Sequence, residues 1–349
     1  MSEQMHLGVS GEAMLNPESS MYMRTSWMLD SHQTMGITGV PARIRFLDSR
    51  EAAQLQEAAR KRNVFARHSW ENNFYLQRIQ EFADRTVIEV VLPGDPDSIA
   101  EEAQAIADVV ESVAVLSTVL VASRATLQNR LGITRHRKDV VDFTIGPKFQ
   151  YLRSSSKRER RSQGVTVGGR FSRRFRRLNL DVLVKRASQI GEVGGRLRQS
   201  LEWLLQSRVE PSLPSALVKT AISLESLLGR SETEPLSRTL SERAAFLMSQ
   251  SPDLRESLSG VVRRFYDSRS RVVHGSSKRG QGPSSRLLES VDRLTFLLAV
   301  TIAANADAFG SFEVLRRWVE EQRWGKKDVI VRPFRDGDLK RALSRAAKE

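Results

Sequence analysis

One segment of the chain carries side chains that could hold a phosphate and move a proton. It spans residues 265–275, FYDSRSRVVHG, and ends a stretch whose apolar residues recur at helical spacing. Arg269 and Arg271 supply positive charge for an anion, and His274 stands one residue before the glycine that ends the predicted helix. A histidine at a helix C-terminus favours its protonated form, because the helix dipole is negative there. This pairing of arginine and histidine suits chemistry at a phosphate.

The same residues favour RNA over DNA as the substrate. RNA cleaves itself when its ribose hydroxyl attacks the adjacent phosphate, so an enzyme mainly needs a proton shuttle and a cation near the phosphorane. His274 and Arg269 match these two roles, and we assign Ser270, Arg271 and Tyr266 as supporting residues. DNA lacks that hydroxyl, and no carboxylate cluster for metal-assisted cleavage is evident in the sequence.

Other chemistries have little support in the sequence. The five histidines do not lie at a known helical metal-ligand spacing, and no P-loop, G-x-S-x-G or dinucleotide-binding glycine pattern occurs. The absence of cysteine excludes disulfides, thiolate metal sites and cysteine nucleophiles. We therefore expect neither a metal nor an organic cofactor.

The charge of the chain indicates a polyanionic partner. There are 55 Lys and Arg against 41 Asp and Glu, which gives a net charge of +14. The longest apolar stretches reach only about half of the ~20 residues that span a bilayer, and the N-terminus does not resemble a signal peptide. We expect a cytoplasmic protein that has no membrane segment.

Positive charge is most concentrated between residues 153 and 177, which hold ten Lys or Arg and one acidic residue. Because three glycines are interspersed, the segment is predicted to be an exposed loop or ribbon. Phe171 and Phe175 alternate with arginines, a pattern that favours RNA contact by stacking and charge. A disordered, solubilising loop is the alternative. The predicted RNA-binding residues are Arg158, Arg160, Arg161, Arg170, Arg173, Arg174, Arg176 and Arg177.

The chain is predicted to be mainly α-helical, with a smaller α/β region before a helical bundle. Residues 42–47 and 86–92 are predicted strands, and residues 1–40 are expected only to wrap or flank a domain. A capping box of Ser98 and Glu101 begins a helix predicted to reach about Leu131. After Leu180 the pattern is purely helical. The six predicted helices are 180–209, 215–228, 236–249, 252–273, 285–309 and 312–324.

Four units follow from these patterns. They are an α/β region of unknown role at 1–150, a basic connector at 151–179, a helical bundle at 180–325 and a C-terminal tail at 326–349.

The residues around His274 resemble the HEPN family (higher eukaryote and prokaryote nucleotide-binding domains), and especially its ApeA-like bacterial branch. Family members carry an R-x(4 to 6)-H motif at the end of a bundle helix, and Arg269 to His274 matches with four intervening residues. The wider string Y-x-x-R-S-x-V-V-H-G over 266–275 is similar to the signature of that branch. So are LESLL at 224–228 and LSERAAFL at 240–247. The resemblance covers about residues 180–325.

The resemblance implies a HEPN-like bundle and a metal-independent endoribonuclease, with two protomers of a homodimer bringing their motifs into one cleft. It also implies a role in bacterial antiviral defence or a toxin system, where tRNA or mRNA is cut and an antitoxin or other defence-system subunit is a partner.

Several alternatives stay open at this point. Many active family members have Asn, Asp or His after the arginine, where this chain has Ser270. The second hypothesis is therefore a catalytically weak or inactive RNA-binding or scaffold protein. A DNA-binding regulator is a third hypothesis, although no helix-turn-helix is evident. Three residues also have structural alternatives to a functional role. His274 can be a simple helix cap, Tyr266 can belong to the core packing, and Glu225 can be a buried polar residue.

Overall fold

The computed structural model describes residues 18–24, 28–29, 34–61, 79–80, 82–94, 96–120, 140–145, 152–156, 166–229, 236–274, 284–325 and 330–344. Within these ranges the protein is mainly α-helical, and most strands of its sheet come from the N-terminal part of the chain. The predicted class, mainly α with a smaller α/β region before the helices, is confirmed at this level.

The sheet has six antiparallel strands in the order β3-β4-β5-β1-β6-β7, and β2 and β8 form a separate parallel pair. The strands are β1 (Glu18–Arg24), β2 (Met28–Leu29), β3 (Met35–Gly36), β4 (Ala42–Leu47), β5 (Arg85–Pro93), β6 (Val140–Ile145), β7 (Leu152–Ser156) and β8 (Thr166–Val167). The two predicted strands are confirmed as β4 and β5, which place Ile44 opposite Ile88. The expectation for residues 1–40 is wrong for β1, because its backbone pairs with β5 on one side and β6 on the other.

Eleven α-helices lie within the described residues. They are α1 (Ser49–Lys61), α2 (Pro96–Ser117), α3 (Gly169–Arg177), α4 (Leu180–Ser188), α5 (Glu192–Val209), α6 (Leu213–Leu228), α7 (Leu236–Met248), α8 (Pro252–Val273), α9 (Ser285–Ala304), α10 (Phe312–Arg323) and α11 (Asp336–Leu343). Five predicted helices are confirmed as α6 to α10, with their ends moved by at most five residues.

The predicted helix at 180–209 is divided in two. α4 and α5 meet at Gly191, whose φ of 134° is accessible mainly to glycine. Gly194 in the first turn of α5 lies so close to the break that a Cβ there would be 2.2 Å from the carbonyl oxygen of Gln189. The apolar spacing continued across the break, so periodicity alone did not reveal it.

Helix α2 joins the sheet to the bundle. It packs on β1 and β5 on one side and on α4 and α5 on the other, which explains why every residue from 109 to 117 is buried. Residues Ser98–Leu120 are long and apolar enough to cross a bilayer by length and composition, but 72% of the apolar window is buried inside the protein. The helix ends at Ser117 and one 3-10 turn follows it at Thr118–Leu120. The rest of the predicted helix, to about Leu131, lies outside the described residues.

Two arginines from the helical part bind carbonyls at the end of α2. Arg293 Nε on α9 donates to the Val119 carbonyl at 2.9 Å, and Arg174 Nη1 on α3 donates to the Ser117 carbonyl at 3.2 Å. The buried apolar residues continue from the sheet through α2 into the bundle and reach α11, in the predicted tail. The predicted units at 1–150 and 180–325 therefore meet in a shared core.

A buried carboxylate lies between β4 and β5. Glu89 accepts hydrogen bonds from Arg43 Nε and from Arg45 Nε, the latter at 2.6 Å, and Arg45 also binds Glu51. Burial by itself raises the pKa of the Glu89 carboxyl. The hydrogen bond from Arg43 and the charges of both arginines outweigh burial, so this pKa lies below the ordinary 4.5.

The stability of the sheet is expected to fall in acid for this reason. A lowered folded-state pKa stabilises the protein fully above pH 4.5, and this contribution is lost as the pH falls through the folded-state value. At neutral pH the free energy of unfolding should be larger for wild type than for Glu89→Gln, and the difference should shrink on acidification. Urea unfolding at neutral and acidic pH measures both values. Glu102→Gln, at an exposed position, is the control. A pH-independent gap between wild type and Glu89→Gln would contradict the assignment.

Candidate functional site

The predicted motif lies on the last turns of α8. This helix begins with Pro252 at its first position. Proline is tolerated there because the N–H that it lacks would have no partner within the helix. It buries Leu258, Val262 and Phe265, and packs against α6, α7 and α9. His274 is the C-cap, with its backbone N–H directed at the carbonyls of Ser270 and Val272. The histidine thus lies at the helix end, as the sequence predicted.

The motif residues differ in exposure. Ser270, Arg271 and His274 are exposed, Arg269 is half-buried, and Tyr266 is 4% exposed. Five residues of α-helix separate two positions by about 7.5 Å along the axis and about 140° around it. Arg269 and His274 therefore share the end of α8 but lie on different sides of it.

Arg271 lies nearer to the side of His274, since three residues separate them. Its Nη2 donates to Ser268 Oγ at 3.1 Å, and Ser268 Oγ in turn donates to the Arg264 carbonyl at 3.0 Å. These contacts hold the Arg271 side chain along its own helix. Its charge thus remains close to the end of α8, where an anion would meet it.

Tyr266 is directed toward α6, and Arg269 is half-buried about one turn further along α8. The Tyr266 hydroxyl donates to the Ala221 carbonyl oxygen at 3.5 Å. Burial, then the negative charge of Glu225, raise the pKa of Tyr266 well above 10.0, while the positive charge of Arg269 acts against them. Arg269 Nε is buried and has no hydrogen-bond partner among the described residues. Tyr266 therefore contacts α6 through its hydroxyl, within electrostatic reach of Glu225 and Arg269.

Glu225 is the residue at this contact whose role the sequence left open. The available signal was its position within LESLL, where an acidic residue interrupts the apolar run at 224–228. Tyr266 packs edge-on against Phe265, with ring centroids 5.6 Å apart, so it contributes to the core as well as to the polar contact. The burial of Tyr266 favours a supporting role without direct contact to RNA, because a phosphate in solvent would not reach its hydroxyl.

After residue 168 the basic segment is not the exposed loop or ribbon that the sequence predicted, and residues 157–165 lie outside the described residues. Residues 169–177 form α3, in which Phe171 and Phe175 are each 4% exposed and pack 5.6 Å apart by ring centroid. Their side chains belong to the core and do not stack on RNA bases. Phe171, Phe175 and Leu178 repeat at helical spacing, and burying this stripe outweighed the loop tendency of the glycines.

The predicted RNA-binding arginines fall into three groups. Arg158, Arg160 and Arg161 lie outside the described residues. Arg174 and Arg177 have partners within the protein: Arg174 binds the Ser117 carbonyl, and Arg177 lies 3.5 Å from Asp338. Burial and then the charge of Arg177 lower the pKa of Arg174. The remaining three, Arg170, Arg173 and Arg176, are exposed on α3.

Within the described part of the chain, no three His, Asp or Glu side chains are grouped so that they could hold a metal ion. No family model, curated protein or solved structure matches this chain.

Proposed function

We propose that this protein is a metal-independent endoribonuclease with a HEPN-like bundle, in which Arg269 and His274 act on RNA. The observation that carries the proposal is the position of His274 as the exposed C-cap of α8, beside Ser270 and Arg271. The His274 imidazole, when protonated, can give a proton to the leaving oxygen. The charge of Arg269 stabilises the phosphorane formed when the ribose hydroxyl attacks phosphorus.

A homodimer is part of the proposal. One histidine does not easily act as both base and acid, and residues 180–349 contain no other histidine. A two-fold axis near the end of α8 would bring two copies of Arg269 and His274 to one cleft. Val273, 50% exposed beside His274, offers apolar surface at that place. In the cell, such an enzyme fits antiviral defence or a toxin system, where an antitoxin or another subunit restrains it in the cytoplasm.

The test is incubation of the purified protein with total RNA in EDTA. We expect cleavage that leaves a 2′,3′-cyclic phosphate and a 5′-hydroxyl, because the ribose hydroxyl is the nucleophile. An oligonucleotide with 2′-deoxyribose at the cleavage position is the matched control and should stay intact. An absolute requirement for a divalent ion, or cutting of the deoxy substrate, would contradict the proposal.

A non-catalytic RNA-binding or scaffold protein is the second candidate. It is favoured by two features of α8: Arg269 and His274 lie on different sides of the helix, and Ser270 follows the arginine. This candidate predicts that the protein binds RNA in EDTA without cutting it. The same incubation, with binding measured in parallel, distinguishes the two functions.

The exposed arginines of α3 are expected to bind phosphates in either case. Replacing Arg170, Arg173 and Arg176 by serine should weaken RNA binding and flatten its salt dependence. The slope of log K against log salt should fall by about 0.7 for each lost contact with single-stranded RNA. Fluorescence anisotropy at several salt concentrations measures the slope.

The matched control for this triple variant replaces the exposed Arg50, Arg316 and Arg317 by serine. It removes the same charge from other surfaces, and its slope should stay near that of wild type. Equal slopes for the two triple variants would show that α3 has no special part in RNA binding. Arg174 and Arg177 are left unchanged because of their partners within the protein.

A further inference from the structure

A cavity lies between the edge strand β3 and one face of α3, and the start of α4 also lines it. Its volume is about 360 Å³, within the range of roughly 300–1,000 Å³ that small-molecule sites occupy. Ser172 Oγ on α3 donates to Met35 Sδ on β3 at 3.6 Å, so one contact joins the two walls. Val167 and Phe175 also line the cavity and are almost fully buried. The cavity is thus bounded by the sheet on one side and by helices on the other.

Two opposite charges line this cavity without pairing with each other. Arg176 Nε donates to the Ser172 carbonyl at 3.5 Å, which turns the arginine side chain back along α3. Its guanidinium has no carboxylate partner among the described residues. Asp181, half-buried in the first turn of α4, has neither a hydrogen bond nor an ion pair within the described part of the chain. A guanidinium and a carboxylate therefore both remain available to a ligand.

The other polar side chains of the lining are hydroxyls, from Thr34, Thr38 and Ser172. A hydroxyl both donates and accepts, so it can bind a hydroxyl or a phosphate oxygen of a ligand. A second cation lies close to Thr38: a Cβ placed on the neighbouring Gly39 would be 3.3 Å from Lys185 Cδ. Two cations against one carboxylate favour a ligand of net negative charge. The carboxylate requires that this anion also carry hydrogen-bond donors.

A phosphorylated sugar meets both requirements. Its phosphate suits the planar fork of a guanidinium, and its neighbouring hydroxyls can donate to the two oxygens of a carboxylate. We propose that the cavity between β3, α3 and α4 binds a phosphorylated sugar, with the phosphate at Arg176 and the sugar hydroxyls at Asp181. Thr34, Thr38 and Ser172 supply further hydrogen bonds. The inference goes beyond the proposed function, although RNA and the sugar phosphate would compete for Arg176.

The first test is calorimetric titration of the full chain with ribose 5-phosphate in the absence of RNA. We expect one molecule bound per chain. Ribose alone and inorganic phosphate alone should bind about tenfold more weakly or worse, because each reaches only one of the two charges. No binding of ribose 5-phosphate, or equal binding of inorganic phosphate, would overturn the proposal. Equal binding of glutamate, which carries both charges but no sugar, would also overturn it.

The second test replaces the two charged residues. Asp181→Asn and Arg176→Gln should each weaken ribose 5-phosphate binding about tenfold or more. The matched controls are Asp253→Asn, in the first turn of α8, and Arg317→Gln, on α10, which remove the same charges from other exposed positions. They should bind as wild type does. Equal losses in variants and controls would show that net charge explains the binding, and the cavity would be rejected as the site.

Thermal unfolding separates lost binding from a damaged fold. Without ligand, each variant should melt close to wild type, because Arg176 is exposed and asparagine keeps the shape of Asp181. Saturating ribose 5-phosphate should raise the melting temperature of wild type and of both controls, since a ligand of the folded state stabilises it. It should raise that of Asp181→Asn and Arg176→Gln far less. An equal rise in all five proteins would contradict the assignment.

Titration with AMP identifies the source of the sugar phosphate. AMP contains ribose 5-phosphate, so binding of similar strength that is lost in Asp181→Asn indicates a nucleotide. AMP binding at least about tenfold weaker indicates a free sugar phosphate, and both results support the site. If the protein cuts no RNA but binds ribose 5-phosphate through these two residues, the proposed function fails and the cavity site stands. If it cuts RNA and binds no sugar phosphate, the cavity site fails and the function stands.

Discussion

Replacing Arg269 or His274 by alanine is expected to lower RNA cleavage in EDTA by about a hundredfold or more in each variant. His274→Ala removes the only histidine of residues 180–349, and with it the proton shuttle. Arg269→Ala removes the cation that would stabilise the phosphorane. Single-turnover rates at saturating enzyme concentration measure both losses, since all the RNA is then bound and the rate reports the chemical step.

The fold should survive both substitutions. His274 is exposed and forms the C-cap with backbone atoms, which alanine also has. Arg269 is half-buried, so Arg269→Lys, which keeps the charge and loses the planar guanidinium, is measured beside Arg269→Ala. Arg264→Ala removes an exposed arginine of the same helix and serves as the control. Cleavage at the wild-type rate by either alanine variant would show that these two residues do not form the site.

The position of the motif at a helix end was predictable, but the direction of Arg269 was not. Pro252 and the apolar spacing after it define α8 locally, and both its ends agree with the prediction. Whether Arg269 faces solvent or the bundle depends on the helices packed around α8, such as α6 and α9. A local signal existed: Val262, Tyr266 and Arg269 follow one another at spacings of four and three, so the arginine continues the buried stripe. Because Arg269 is charged, it was not predicted to belong to the buried stripe.

The basic segment and β1 show how local patterns fail for a different reason. In α3 the arginines dominate the composition, whereas two phenylalanines and Leu178 determine the structure by packing in the core. In β1 the sequence ESSMYMR has no strong strand pattern, and its place in the sheet comes from hydrogen bonds to β5 and β6. Each of these partners is remote along the chain. Sequence spacing records which residues prefer burial, but not which surface is available to bury them.

The largest effect on stability is expected when Asp292 on α9 is replaced. Asp292 forms a buried charged pair that the sequence did not reveal. Arg208 on α5 and Asp292 on α9 are 2% and 0% exposed, with Arg208 Nη1 3.1 Å from Asp292 Oδ2. Thr220 Oγ1 on α6 donates to the other carboxylate oxygen at 2.8 Å. The pair therefore joins three helices in the centre of the bundle. Replacing Asp292 by alanine should lower the free energy of unfolding by about 3–5 kcal/mol, because the arginine stays buried without its counterion.

The double replacement of Arg208 and Asp292 by leucine tests what the pair contributes. Arg208 Nε and Nη2 are buried and have no hydrogen-bond partners among the described residues. The hydrogen bonds of the guanidinium therefore do not fully offset the cost of removing it from water.

Removing both charges should restore most of the stability lost in Asp292→Ala, and the double variant becomes more stable than wild type if the leucines pack well. Urea unfolding of wild type, Asp292→Ala and the double leucine variant gives the free energies to compare. Asp307→Ala, which removes an exposed partner of Arg186, is the control and should change stability far less. A double variant no more stable than Asp292→Ala would show that the pair is favourable in itself, and that the orphaned arginine is not the cause of the loss.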